Sequence, residues 1–285
     1  MSNIQILASA KYLPENNITN EQLEKQFELP QGYLKKRTGI EVRHYAEDEI
    51  EKLAYKAVEK LEKEAVRDVD MIIVATTSTD KIMPGISNYI QKRLKIERCI
   101  CLDILAGCGG FINALDIAKM YIQCEKAKKA LVIGVELLSK IIDKEDLDLL
   151  AVLSDGAGAV LVEKSKSKKQ YYSNIVSTID NKNILEYHSH YKINMKGKDV
   201  YRYAVTESAK NIKELLHISN EKIENIKYII PHQSNLKIIE GITSRIGCGQ
   251  EKMFTNIQET GNTFCASIPI AIAEMMEKKS LKSRR

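Results

Sequence analysis

A chain of 285 residues, 44% apolar and 28% charged, has the make-up of a globular protein with a large core. Its net charge of +5 is mild, and its few aromatic residues do not alternate with basic ones, so no nucleic-acid partner is expected; a basic patch for an acidic protein or a phosphate-bearing cofactor fits better. No apolar run reaches the roughly 18 residues of a membrane span, the N-terminus lacks a signal-peptide pattern, and six cysteines without CxxC spacing fit reduced thiols in the cytoplasm, with no metal site and no membrane partner.

Strand-like and helix-like runs alternate along the chain, the pattern of an α/β protein. A strand is expected over Ile4–Ala10, then a helix over Thr19–Glu28 capped by Thr19 or Asn20, and an amphipathic helix over about Glu49–Glu64. The β-branched runs Met71–Ala75, Cys99–Ile104, Ala130–Val135 and Ala157–Val162 read as strands buried on both faces. Between them, Ser87–Leu94 and Gly109–Gln123 repeat apolar residues at three and four, as Phe111, Ala114, Leu115, Ala118 and Ile122 do. The Lys- and Ser-rich stretch Glu163–Tyr172 reads as a surface connection, dividing the chain into halves at 1–165 and 166–285. Beyond it come a strand at Ile175–Ile179, an irregular polar segment over Asp180–Asn194, a helix at Val200–Leu216 and a strand at Tyr228–Ile230. The helix Leu236–Ile246 follows, and last a helix over Cys265–Lys278 that is apolar nearly all round and therefore expects to lie between layers.

Three polar residues stand at turns that precede helices. Cys108, in Leu105-Ala-Gly-Cys-Gly-Gly-Phe111, follows a strand and has glycines at 107, 109 and 110 that permit a tight turn and close approach of a substrate. The helix N-terminus behind it favours the thiolate. His232 follows the strand Tyr228–Ile230 at its carboxyl end, where α/β sheets place their sites, with Pro231 ending the strand. Asn262 lies in Glu259-Thr-Gly-Asn-Thr-Phe-Cys, before the apolar helix. Singly, each has a plain structural role: a small core thiol, a satisfied core histidine, a cap. Jointly they supply a nucleophile, a proton carrier and an oxyanion donor.

These segments resemble a β-ketoacyl-acyl-carrier-protein synthase III, a thiolase-fold condensing enzyme. The likeness covers nearly the whole chain, through Arg37-Thr-Gly-Ile-Glu-Val-Arg-His44, Asp103-Ile-Leu-Ala-Gly-Cys-Gly-Gly-Phe111 and Ser154-Asp-Gly-Ala-Gly-Ala159, then Met195-Lys-Gly-Lys-Asp-Val-Tyr201, Pro231-His-Gln-Ser-Asn-Leu236 and Gly261-Asn-Thr263. The resemblance implies a five-layered αβαβα fold of two similar halves, a homodimer, and no permanently bound cofactor. It implies that Cys108 takes an acyl group from acyl-coenzyme A, and that His232 and Asn262 promote decarboxylation of malonyl-acyl-carrier protein, whose carbanion attacks the thioester. By motif position, Arg37, Tyr33, Gly197 and Asn235 would line the coenzyme A site. Lys237, Arg245 and Arg202 would meet the acidic carrier protein, and Met83-Pro-Gly would lie near the dimer interface and acyl pocket.

The chain departs from the family's pattern at three places. Leu147 stands where an arginine usually stacks on adenine opposite Tyr33, and Ser154 replaces a usual glycine. Family members also continue into two more strands and a glycine-rich loop, whereas this sequence stops at Arg285, from which a shortened second sheet, a lost oxyanion donor and impaired activity are expected. The alternatives carried forward are a specialised-metabolite or polyketide acyltransferase of the same fold and a non-catalytic binder of acyl carrier protein. A papain-like protease shares the Cys, His and Asn order but carries an aromatic after the nucleophile and belongs to oxidising compartments, and neither holds here.

Overall fold

The computed structural model describes residues 3–165, 170–187 and 193–283, with side chains of the last helix described to residue 278. Strand β1 (Asn3–Tyr12) leads into the short ribbon β2 (Asn17–Thr19) and β3 (Val42–His44), with helices α1 (Asn20–Gln26) and α2 (Tyr33–Thr38) between them. Thr19 caps α1 as expected, its hydroxyl accepting from Gln22 N while Gln22 returns a bond to Thr19 N at 2.7 Å. The long helix expected over Glu49–Glu64 is instead two pieces, α3 (Ile50–Val58) and α4 (Lys63–Val66), because buried Leu61 turns into the core at the break.

Strands β4 (Met71–Ala75), β5 (Ile100–Ile104), β6 (Lys129–Glu136) and β7 (Gly156–Ser165) join β1 in one sheet of order β1-β7-β6-β4-β5. β4 runs parallel to β5 and β6, whereas β7 is antiparallel to both β6 and β1. Every residue of β4 is fully buried, because helices cover both faces. Ile72, Val74, Leu131 and Ile133 point to α3 and α5 (Ile86–Leu94), while Met71, Ile73, Ala75, Ala130 and Val132 point to α6 (Gly110–Gln123). Each such aliphatic side chain contributes about 1.5–3 kcal/mol by leaving water.

The chain from β6 reaches β7 through the one-turn helix α7 (Leu147–Leu150). Beyond β7 the expected strand Ile175–Ile179 forms no ladder among the described residues, and Val176 and Ile179 stay exposed. The expected strand Tyr228–Ile230 is reduced to a single bridge between Ile229 and Met253. A strand forms only where a neighbour satisfies the backbone over several residues; among the described residues Ile175–Ile179 joins no ladder and Tyr228–Ile230 has the one bridge. The polar segment Asp180–Asn194 instead carries a two-residue hairpin, β8 (Leu185–Glu186) with β9 (Asn194–Met195). Helices α8 (Gly197–Ser219) and α9 (Leu236–Ile246) pack together around Val205, Ala209, Ile239 and Ile242.

After the short α10 (Ile257–Thr260) and a 3-10 turn at Phe264–Ala266 comes α11 (Ser267–Ser283), lying across β7 and β1. Two glycines make its seat. A Cβ on Gly158 would meet the backbone of Pro269 and Ile270 within 2.7 Å, and one on Gly134 would come 2.8 Å from the Cys265 carbonyl. The Gly-Ala-Gly motif of β7 is therefore a docking groove for this helix. No helix among the described residues is long and apolar enough to cross a membrane.

Candidate active site

Cys108 sits in a 3-10 turn (Gly107–Gly109) between β5 and α6, and Gly107 there takes φ +55°, a left-handed value that a side chain would resist. The turn packs on the Phe264–Ala266 turn, and the part-buried Cys108 joins the cluster of Leu138, Ile142 and Phe264. Burial first, and then the charge of Glu136, pushes the Cys108 thiol up to about 12. The thiolate expected from the helix N-terminus alone is thus outweighed by desolvation, and the resting group at neutral pH is the thiol.

The stretch Asn262–Ser267 gathers all three predicted residues. Asn262 is buried and held in place at both its backbone groups, donating to Val152 O at 2.8 Å and accepting from Ser154 N at 3.0 Å. Its Oδ1 accepts from Phe264 N at 3.0 Å, which leaves the carboxamide N–H groups free to donate elsewhere. Phe264 takes φ +40°, an uncommon value for a bulky residue. Three positions on, Ser267 opens α11 with its Oγ 2.6 Å from His232 Nδ1. The same hydroxyl accepts from Gln233 N at 3.3 Å. Fully buried Gln233 anchors the histidine loop further, donating to Pro231 O at 2.8 Å and Phe254 O at 3.2 Å and accepting from Asn256 N at 3.1 Å. Burial lowers the His232 imidazole to about 4, so the ring is neutral at physiological pH. One six-residue segment therefore carries the carboxamide, fixes the imidazole and abuts the thiol's turn.

The chain matches the 3-oxoacyl-[acyl-carrier-protein] synthase III model over residues 102–180 and the C-terminal model of the same synthase over residues 216–285. It is 33% identical to β-ketoacyl-[acyl-carrier-protein] synthase III of Clostridium acetobutylicum, over 99% of this chain and 92% of the relative. The corresponding protein of Aquifex aeolicus is 36% identical over 98% of this chain and 92% of its own length. The chain belongs to the β-ketoacyl-acyl-carrier-protein synthase III family. The crystal structure of the Aquifex aeolicus synthase superposes with TM-score 0.89 at 35% identity, covering 97% of this chain and 92% of that one, which makes the fold thiolase-like.

The residues expected at a synthase III coenzyme A site lie on α2, at the start of α8 and before α9. Tyr33, at the start of α2, is exposed; Arg37, on the same helix, pairs with Asp148 Oδ1 at 2.9 Å. Leu147 is the first residue of α7, directly before that aspartate. Gly197 opens α8, with space around the position of a side chain, and Asn235 caps α9 by accepting from Lys237 N at 2.9 Å. Lys237 pairs with Glu240 at 3.1 Å on α9, Arg245 is exposed in the last turn of α9, and Arg202 is exposed on the packed α8. Ser154, in place of the usual glycine, donates at 3.4 Å to His44 O and accepts from His44 N at 2.8 Å, tying β3 to the Leu153–Asn262 bridge.

Sequence reading passed over four residues of this site: Ser267, Gln233, Cys265 and Glu136. Gln233 and Ser267 looked like ordinary polar neighbours in a loop and at a helix start. Glu136 did carry a signal, being the one acidic residue in the apolar run that ends β6.

Proposed function

We propose that Cys108, His232 and Asn262 are the catalytic residues of a β-ketoacyl-acyl-carrier-protein synthase III that starts fatty-acid biosynthesis. The chain is an acyltransferase by family. The observation that carries the assignment of residues is the convergence of all three on Asn262–Ser267.

In the loading step the Cys108 thiol gives its proton to His232 Nε2 as Sγ attacks the thioester carbonyl of acyl-coenzyme A. The carbon–sulfur bond to coenzyme A breaks, and the departing thiolate takes the proton back. This step needs a bare Nε2, and the Ser267 hydroxyl supports it by accepting from Nδ1–H. In the condensing step malonyl-acyl-carrier protein loses CO2, and the electrons of that bond move onto the thioester oxygen. His232 Nε2–H and the Asn262 carboxamide stabilise this oxygen. Between the half-reactions the ring loses its Nδ1 proton to solvent and gains one at Nε2, and the Ser267 hydroxyl turns to donate to the bare Nδ1. The carbanion then attacks the acyl-Cys108 carbonyl, the Sγ–acyl bond breaks, and the Cys108 thiolate is reprotonated from solvent. A neutral hydroxyl that can donate or accept serves both tautomers of the ring.

Acyl-coenzyme A would be bound as substrate at Arg37, Tyr33, Gly197 and Asn235, with Leu147 leaving the adenine without its usual arginine. Lys237, Arg245 and Arg202 would present a basic face to acyl carrier protein. A cytoplasmic homodimer of chains with halves 1–165 and 166–285 fits this reading. Among the described residues β5 is a sheet edge with a ladder only to β4; exposed Leu105 directly follows it, and Ile82 and Met83 are exposed in the loop before α5. The test is loading with acetyl-coenzyme A followed by malonyl-acyl-carrier protein. The proposal requires an acyl adduct on Cys108 and then a β-ketoacyl product. Binding of the carrier with no adduct would leave only the carrier-binding alternative.

A further inference from the structure

Glu136 ends β6 beneath the catalytic turns, fully buried, and its partners come from two separate segments. Its Oε2 accepts from Ser78 Oγ at 2.6 Å, Thr77 N at 3.0 Å and Thr76 Oγ1 at 3.4 Å, all in the loop that leaves β4. Ser78 is itself oriented for this, because its Oγ accepts from Leu137 N at 2.7 Å and has its proton left to give. The other carboxyl oxygen, Oε1, accepts from Cys265 Sγ at 3.0 Å. Cys265 is the middle residue of the Phe264–Ala266 turn, and its sulfur also lies 3.2 Å from Ala75 O at the end of β4.

That turn is confined on its remaining sides. Gly134 of β6 comes so close that a Cβ there would sit 2.8 Å from Cys265 O, and Gly110, two residues beyond Cys108, would place one 3.4 Å from the Cys265 Cβ. The turn in turn provides Phe264 N to the Asn262 carboxamide. A bond network thus runs from the β4 loop through Glu136 and Cys265 to Asn262, passing beside Cys108. A carboxyl buried at the end of a central strand is costly unless it is neutral or fully bonded, and burial does push this one up from the usual carboxylate range. Sheet packing alone does not call for such a group, since an apolar residue would fill the same space.

We propose that Glu136 is a positioning residue for the condensing step: it holds the Phe264–Ala266 turn, and through it the Asn262 carboxamide, in the geometry that receives the oxygen of decarboxylating malonyl thioester. This rests on the catalytic reading of Asn262 given above. Loading of Cys108 does not need that carboxamide, so the two half-reactions separate the role from mere support of the fold.

The experiment uses the full chain with acetyl-coenzyme A and malonyl-acyl-carrier protein, measuring Cys108 acylation by mass and condensation by product formation. Glu136→Leu, which removes every bond of the carboxyl, is expected to slow condensation by ~10- to 100-fold, less than deleting an oxyanion donor outright, while acylation is not slowed, because losing the charge beside Cys108 eases formation of its thiolate. Glu136→Gln, whose amide oxygen can face Ser78 and Thr77 and whose NH2 can face the Cys265 sulfur, is expected to recover most of that loss. Should Glu136→Leu fail to fold, Cys265→Ala cuts the same link and is judged by the same split. Equal losses in both half-reactions, or no loss in condensation, would overturn the proposal. Asn262→Ala run alongside must lose condensation; if it does not, the reading of Asn262 fails, and not this link alone.

Discussion

Replacing Ser267 by alanine removes one oxygen that serves two partners in a buried place. Ser267 is 2% exposed, its Oγ lies 2.6 Å from His232 Nδ1, and it accepts from Gln233 N at 3.3 Å. The methyl of alanine satisfies neither group, and each buried orphan costs about 1–3 kcal/mol. The Gln233 N–H falls on stability, so the melting temperature should drop. The Nδ1 orphan falls on catalysis, because the ring loses both its orientation and the hydroxyl that adapts to either tautomer. If about 1–3 kcal/mol of positioning is lost in the transition state, rates fall by ~5- to 150-fold. Because the imidazole takes a proton in loading and donates a hydrogen bond in condensation, both half-reactions should slow in Ser267→Ala. The assay is single-turnover acylation by acetyl-coenzyme A, then condensation with malonyl-acyl-carrier protein, at a temperature where the variant is fully folded. Wild-type rates in a folded Ser267→Ala would refute the role given to this hydroxyl and the tautomer switch with it.

Stability should fall with acid because of His232. Its folded value is about 4 against about 6.5 when unfolded, so between these the unfolded chain binds the extra proton. Stability from this group is full above about 6.5 and is lost as pH falls towards 4, by about 3 kcal/mol in all, so His232→Asn should flatten the melting temperature between those values. Gly134→Ala should cost about 1–3 kcal/mol, because its Cβ meets the Cys265 carbonyl at 2.8 Å and Ala266 Cα at 3.0 Å, and a calorimetric melt reads the loss directly. Lys237→Glu and Arg245→Glu should each raise KM for malonyl-acyl-carrier protein by ~2- to 5-fold, the worth of an exposed charge, and the effect should shrink at high salt while acyl loading stays unchanged.

The sheet was legible where composition left no choice. Met71–Ala75 is continuous β-branched and apolar sequence, and it became an interior strand with both faces covered. The helix Leu236–Ile246 kept its bounds because Asn235 caps it and Gly247 ends it in a left-handed turn. Glu49–Glu64 misled because its periodicity continues through Leu61, although the chain must turn there to bury that side chain. Ile175–Ile179 misled for another reason: strand propensity is local, while a ladder needs a partner elsewhere in the chain. At the site, the glycines around Cys108 and the turns at His232 and Asn262 were visible in sequence. Burial of the thiol was not, and it reverses the sign expected from the helix N-terminus. The supporting residues Ser267 and Glu136 matter through contacts across 35 and 129 positions of the chain, which no local pattern records.

Acyl transfer through Cys108 is tested most directly by the mass of the intact protein after incubation with acetyl-coenzyme A. A nucleophilic Cys108 requires a gain of one acetyl group, borne on the peptide containing Cys108, absent in Cys108→Ser and discharged on addition of malonyl-acyl-carrier protein. A folded chain that gains no acetyl group, or gains it equally in Cys108→Ser, would contradict it.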